Sequence, residues 1–195
     1  VSRDALAAAQ MYKGYSLNTT DINQIDECMA LLKNTHFDFW GTDDLKKEVS
    51  QGNCDVALVY SGDFFDSFYS DLEAGLEENL ELYSIYAPKE HNNVFFDALA
   101  IPTTSTNQDL VYKFLNFMLD YDNSYENASY IGYCPTLQSV YDEVMTSEEW
   151  SDVNVIEAYD PAKIINYPNS RPEVYAYLGS DIYAYIESEF IKALG

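Results

Sequence analysis

Residues that build metal sites and disulfide frameworks are scarce in this sequence. Among 195 residues there are three cysteines and two histidines. Cys28, Cys54 and Cys134 form an odd set without close spacing, which is typical neither of a disulfide framework nor of a zinc site. His36 and His91 are too few and too far apart for a histidine-rich site. We therefore expect neither a metal ion nor a cofactor.

Long apolar runs and the motifs of common enzyme classes are missing as well. No stretch reaches the ~18 apolar residues of a membrane span, and no signal peptide precedes the first helical pattern. The nucleophile-elbow, zinc-helix, Walker and dinucleotide-binding motifs are all absent, so we expect no enzyme. The chain opens at Val1 directly on a helical pattern. We therefore expect a fragment of a longer protein, and the missing signal does not decide its compartment.

Basic residues are few relative to acidic ones. Ten Lys and Arg stand against 33 Asp and Glu, which gives a formal net charge of −23. Such a surface repels nucleic acid and anionic membranes and attracts cations. Most of these carboxylates are explained by their contribution to solubility. The alternative hypothesis is that a few of them face a cationic ligand. Paired carboxylates also leave an acidic glycoside hydrolase open by residue type alone.

The apolar pattern changes along the chain. Up to Pro102 helical and strand patterns alternate, which predicts an α/β lobe with a mixed, largely parallel sheet. The predicted helices here are 2–13, 22–33, 41–51 and 64–73, and the predicted strands are 37–40, 56–60, 80–87 and 95–101. Beyond Pro102 the predicted helices are 110–119, 125–130, 137–145, 147–153 and 174–194. Helices without a sheet of their own need one from chain that lies elsewhere, which again indicates a fragment.

Several segments, in order, resemble the spermidine/putrescine-binding proteins of ABC transporters. They are Arg3-Asp4 at a helix start, Gly14–Asp21, Val56–Gly62, Phe95–Pro102, Lys113–Phe117 and Tyr130–Tyr133. The resemblance extends over nearly the full length. The segments from Gly14 and from Phe95 are the most specific because they are long and occur in the expected order.

This resemblance implies the type II periplasmic-binding-protein fold, in which two α/β lobes enclose a cleft. We expect residues 1–97 to form most of the second lobe, without its first strand. Residues 98–102 would be the strand that crosses the hinge, and 103–195 the C-terminal helical part of the first lobe. The missing N-terminal part of the same protein would then supply the remaining sheet.

The resemblance also implies a function. The chain would belong to an extracytoplasmic binding protein that captures spermidine or putrescine and delivers it to a membrane permease. It would lie in the periplasm or at the outer face of the cell membrane, associated through the transporter or through an anchor outside these residues. No nucleic acid is expected as a partner. Another small solute, an acidic glycoside hydrolase and a structural or adhesive surface domain are the alternatives, although the lack of a basic cluster argues against an anion.

Seven ligand-binding residues follow from the resemblance. A polyamine needs carboxylates for its ammonium groups and aromatic faces for its methylenes, and the sequence holds 18 tyrosines. The residues at the family's ligand positions are Asp4, Thr42, Tyr60, Phe95, Asp97, Tyr133 and Tyr175. Relatives usually carry Trp at the positions of Tyr60 and Phe95.

Some of these residues also have plain structural interpretations. The alternative for Asp4 and Thr42 is a role as helix cap and nothing more. The alternative for Tyr60 and Phe95 is ordinary strand core. Asp97 is the strongest functional candidate, because an acid inside a buried apolar strand needs a cation.

Overall fold

The computed structural model describes residues 2–76, 84, 88, 90, 92–146 and 172–194 of the chain. Two compact units are present. The first unit consists of the described residues within 1–45, 87–96 and 165–195, and the second unit of those within 46–86 and 97–164.

Within the described residues the structure contains eight helices and two short strands. The helices are α1 (Ser2–Lys13), α2 (Ile22–Asn34), α3 (Leu45–Ser50), α4 (Ser61–Glu73), α5 (Gln108–Met118), α6 (Tyr121–Ile131), α7 (Gln138–Thr146) and α8 (Ser180–Leu194). The strands are β1 (Asn92–Val94) and β2 (Pro172–Val174). They pair in parallel, with Asn92 opposite Pro172 and Val94 opposite Val174.

The core of the first unit lies between α1, α2 and α8. In α2, Ile25, Cys28, Met29 and Leu32 recur at helical spacing and are all buried. They pack with buried residues of α1 and with Ile186 of α8. The same spacing predicts this helix from the sequence, and the structure confirms it.

The core of the second unit lies between α4, α6 and α7. Three phenylalanines of α4 pack against buried small and branched residues of the other two helices. The set is Phe64, Phe65, Phe68, Ala128, Val140 and Val144. Gly132 ends α6 at a φ of 68°, and a Cβ at this position would overlap the side chain of Phe65. The glycine therefore serves both the left-handed turn and the close packing of α6 on α4.

The predicted strands are the main correction to the sequence-based secondary structure. Residues 37–40, 56–60 and 95–101 form no strand in the structure, and Val56 and Leu58 are exposed rather than buried. In the described part of the chain, strand pairing joins β1 to β2. The sequence instead predicts a turn at the position of β1 and the start of a helix at the end of β2. A strand is stable only when a neighbouring strand completes its hydrogen bonds, and a local apolar pattern does not reveal that neighbour. The predicted strand 80–87, apart from its residue 84, and the predicted helix 147–153 lie outside the described residues.

The two units also group residues differently from the division at 97 and 102. Residues 46–76 fall with 97–146, because the phenylalanines of α4 pack on α6 and α7. Helix α8 falls with residues 2–45, because its apolar face packs on α1 and α2. Which lobe of a complete protein each unit represents stays a prediction. None of the helices in the described residues combines the length and apolarity needed to cross a membrane.

Candidate ligand-binding site

Two of the seven expected residues meet in the first unit. The hydroxyl of Tyr175 donates a hydrogen bond to Asp4 Oδ1 at 3.0 Å, although the residues lie 171 positions apart. Asp4 belongs to the first turn of α1, and Tyr175 directly follows β2. Both side chains are partly buried. The structure thus places together a carboxylate and an aromatic phenol, two groups that can each interact with an ammonium group.

The short parallel sheet adds Phe95 to this group. Val94 and Val174 are paired in register, so Phe95 and Tyr175 each come one residue beyond the carboxyl end of paired strands. Backbones of neighbouring strands lie about 4.8 Å apart. In open α/β sheets, ligands bind at this edge. Phe95 is 39% exposed, so the alternative interpretation of this residue as strand core does not fit the structure.

Arg3 belongs to the segments that carry the resemblance, and in the structure it contacts the residues around Tyr175. Its guanidinium carbon lies 4.1 Å from the ring centroid of Tyr175 and 5.3 Å from that of Tyr183. It also donates hydrogen bonds to the carbonyl of Ala176 at 3.0 Å and to Asn18 Oδ1 at 2.9 Å. A cation in the first turn of a helix is unfavourable by itself. That local conflict is the signal by which the sequence could have indicated a specific role.

Thr42 also belongs to the first unit, in the segment between α2 and α3. It is exposed and precedes α3, and its backbone N–H donates to Asp44 Oδ1 at 2.8 Å. The N–H of Leu45 donates to the carbonyl of Thr42 at 3.1 Å. These bonds show that Thr42 takes part in the turn that starts α3.

In the second unit, Tyr60 and Tyr133 both lie at the N-terminal end of α4. Tyr60 is the residue before the helix, and its N–H donates to Asp63 Oδ2 at 3.1 Å. The ring of Tyr133 lies so close to Gly62 that a Cβ there would overlap it. Close approach of the tyrosine therefore depends on glycine at position 62.

Burial and charged side chains both affect the Tyr133 hydroxyl. Burial is the main cause that raises the pKa of its hydroxyl, and the carboxylates of Asp63 and Asp97 raise it further. A hydrogen bond with the backbone of Gly62 and the charge of Lys46 act in the opposite direction. The ammonium of Lys46 lies 2.8 Å from Asp66 Oδ2 and 3.8 Å from Asp63 Oδ1.

Asp97 belongs to this group for a reason different from the one the sequence suggests. It is exposed and lies in a segment without strand structure, so the argument from a buried strand is wrong. Its carboxylate contributes to the raised pKa of the Tyr133 hydroxyl. The structure thus places Asp4, Phe95 and Tyr175 in the first unit, with a direct hydrogen bond between Asp4 and Tyr175, and it places Tyr60, Asp97 and Tyr133 in the second unit.

Comparison with known proteins decides the family. Residues 2–156 match the family model described as bacterial extracellular solute-binding protein. The chain belongs to this family. The bacterial extracellular solute-binding proteins are not an enzyme family, so an acidic hydrolase finds no support here.

Individual relatives carry more specific names. The chain is 30% identical over 132 residues to the putrescine/cadaverine-binding protein of Pseudomonas aeruginosa, covering 67% of this chain and 36% of that protein. It is 28% identical over 153 residues to the spermidine/putrescine-binding periplasmic protein of Salmonella typhimurium, covering 77% of this chain and 41% of that protein. The resemblance stated from the sequence is therefore confirmed. The chain spans less than half the length of these two relatives.

A solved structure agrees with both the family and the fold. The spermidine/putrescine ABC transporter substrate-binding protein PotD of Streptococcus pneumoniae superimposes with a TM-score of 0.70 and 27% identity. The match covers all of this chain and 55% of PotD. The expected type II periplasmic-binding-protein fold is thereby confirmed, and the match covers part of it. The seven ligand-binding residues stay predictions.

Proposed function

We propose that this chain is part of the polyamine-binding component of an ABC transporter, with spermidine or putrescine as its ligand. The names of the relatives and of the structural neighbour support this proposal. An extracytoplasmic location agrees with the family description. The complete protein would deliver its ligand to a membrane permease without performing catalysis. An N-terminal segment of the same protein would complete the binding unit. The complete protein would associate with the membrane through the transporter or through a separate anchor.

The hydrogen bond between Tyr175 and Asp4 is the observation that carries the proposal. A carboxylate attracts an ammonium group, and a phenol bonded to it fixes the orientation of the carboxylate oxygens. Phe95 follows the strand paired with β2, where an aromatic face can contact methylenes or an ammonium. The formal net charge of −23 attracts cations to the whole surface.

The second unit contains a comparable combination of groups. Tyr60 and Tyr133 lie at the start of α4, and the carboxylates of Asp63 and Asp97 influence Tyr133. Aromatic rings and carboxylates suit a methylene chain that ends in an ammonium group. An anion finds no comparable set of basic side chains here, because Lys46 is paired with Asp63 and Asp66.

Calorimetric titration of the full-length protein tests this function. We expect saturable binding of putrescine or spermidine and no binding of citrate or neutral oligosaccharides. Asp4→Asn should weaken polyamine binding by about 2–4 kcal/mol, as for loss of a charged partner at a desolvated contact. Glu143→Gln, an equal charge change at an exposed position of α7, should leave binding unchanged. Saturable oligosaccharide binding without polyamine binding would reject the proposal.

A further inference from the structure

Arg3 is a buried charge in an unfavourable place. Its side chain belongs to a residue that is 8% exposed, in the first turn of α1. The end of a helix that carries partial positive charge disfavours a cation, and burial increases the cost. None of the ion pairs found among the described residues includes Arg3, and its Nε is buried without an acceptor in that part of the chain. Such a group needs an explanation beyond stability.

Within the part of the chain that the structure describes, the hydrogen bonds of Arg3 reach neutral acceptors on other segments of the first unit. They are the carbonyl of Ala176, the side-chain oxygen of Asn18 and the hydroxyl of Tyr183. These acceptors belong to the segment after β2, to the loop after α1 and to α8. One guanidinium therefore ties three separate parts of the unit to the start of α1.

Asn18 completes the attachment of the segment after β2. Its Oδ1 accepts from the N–H of Ala176 at 2.7 Å, and its Nδ2 donates to the carbonyl of Val174 at 2.9 Å. The same Nδ2 lies 3.3 Å from Glu173 Oε2, which also accepts from the hydroxyl of Ser16 at 2.6 Å. The backbone is thus held on both sides of residue 175.

Tyr175 lies between these two attachment points. The guanidinium of Arg3 covers its ring at 4.1 Å, and its hydroxyl donates to Asp4 at 3.0 Å. The backbone is fixed at residues 174 and 176, and the guanidinium covers one face of the Tyr175 ring. The phenol therefore has little freedom to move away from Asp4. When the side chains of a binding site are already fixed, less conformational entropy is lost on ligand binding, and affinity is higher.

We propose that Arg3 and Asn18 are positioning residues that hold Tyr175 against Asp4, so that they set ligand affinity without contacting the ligand. The proposal rests on the proposed function. Lysine cannot replace Arg3, because a single ammonium lacks the planar fork of donors that reaches separated acceptors while stacking on a ring.

A double-mutant cycle in the full-length protein separates positioning from general stabilisation. Putrescine affinity is measured by calorimetry for wild type, Arg3→Met, Arg3→Lys, Tyr175→Ala and the Arg3→Met/Tyr175→Ala pair. We expect Arg3→Met and Arg3→Lys each to weaken binding at least about 10-fold, because neither side chain keeps both the stacking on Tyr175 and the separated hydrogen bonds, and coupling between contacting residues reaches this size. In the Tyr175→Ala background the same Arg3→Met change should alter affinity by less than about 2-fold, because its target is gone. Lys33→Met, an equal charge change at an exposed site on α2, serves as the control.

A second variant keeps the test valid if Arg3→Met does not fold. Asn18→Ala retains the guanidinium but removes the bonds to Val174 and Ala176, and it should also weaken putrescine binding. Equal losses from Arg3→Met in both backgrounds, or unchanged binding in both Arg3→Met and Asn18→Ala, would overturn the positioning role. A wild-type protein that binds no polyamine would instead reject the proposed function, and the positioning role with it.

Discussion

At the scale of single residues, the aromatic side chain at position 95 offers a direct test of the site in the first unit. A ring that faces an ammonium contributes about 0.5–2 kcal/mol, and Trp gives the strongest effect. Phe95→Ala should therefore weaken polyamine binding by that amount, while Phe95→Trp should bind equally well or better. Titration calorimetry with putrescine measures both changes.

The neighbouring Phe96 provides the matched control. It is 79% exposed, and Phe96→Ala should not change affinity. If Phe95→Trp abolishes binding while the protein stays folded, Phe95 packs against protein rather than ligand. An equal loss from Phe96→Ala would show that the effect is not specific to the site.

Cys28 predicts how stability depends on pH. Burial is the main cause that raises the pKa of its thiol to about 11, with an opposing effect of Lys13, while an unfolded cysteine titrates near about 8.5. Between these values the unfolded chain loses the proton and the folded chain keeps it. The unfolded state then binds fewer protons, so this thiol lowers stability as pH rises, by up to about 1.4 kcal/mol per pH unit.

Urea unfolding from pH 8 to 11 checks this expectation. The Cys28→Ala variant removes the thiol, so its stability should fall less steeply over that range than that of wild type. In the native protein at pH 8, iodoacetamide should modify the exposed Cys134 before the buried Cys28. Identical pH slopes for the two proteins would contradict the assigned pKa.

The sequence predicts candidate residues for the site, which stay predictions, but it does not predict how the structure arranges them. Asp4 and Tyr175 were expected separately, and nothing local indicates a hydrogen bond across 171 positions. The role of Arg3 depends on acceptors from three distant segments, which a helix-start pattern does not contain. For Asp97 the sequence predicts burial in a strand, and the structure leaves it exposed.

At the scale of elements, helix ends are determined locally and can be tested one at a time. Gly132 and Gly14 both have φ near 70°, which an alanine adopts at a cost of about 1–2 kcal/mol. At Gly132 an added Cβ would also overlap Phe65, whereas at Gly14 it meets nothing within 4 Å. Overpacking adds about 1–3 kcal/mol, so Gly132→Ala should destabilise the protein by that much more than Gly14→Ala.

Thermal and urea unfolding of both variants measure the difference. Equal destabilisation would mean that Phe65 moves aside without cost. A larger effect at Gly14 would contradict the packing of α6 on α4.

Helices and strands differ in how far the sequence predicts them. The spacing of Ile25, Cys28 and Leu32 contains all that α2 needs, because helical hydrogen bonds stay within the segment. The apolar run 56–60 indicates a strand equally clearly, yet its hydrogen bonds depend on another segment. The described residues supply a single parallel pair, β1 with β2, whose short polar sequences gave no strand pattern. In the described residues the predicted helices are therefore present, with shifted ends such as Ser180 for the last one, whereas the predicted strands 37–40, 56–60 and 95–101 are not.

At the scale of the whole molecule, α5 presents an apolar surface. None of its residues is buried, and Leu110, Phe114 and Phe117 are each more than half exposed. Contiguous exposed apolar patches are rare on monomeric proteins and usually mark contact surfaces. The chain spans 41% of the Salmonella relative. We infer that further chain of a complete protein covers α5, and that the same chain contributes to the binding site.

These inferences predict how the 195-residue chain behaves by itself. With α5 uncovered, it should self-associate in light scattering and bind polyamine far more weakly than the full-length protein. Replacing Phe114 and Phe117 by Ser should reduce self-association, because it removes apolar area from the surface. Tyr12→Ser, at a residue 74% exposed on α1, should not. Self-association unaffected by the α5 changes would place the contact surface elsewhere. A monomeric 195-residue chain that binds spermidine as tightly as the full-length protein would show that α5 needs no cover and that the binding site is complete within these residues.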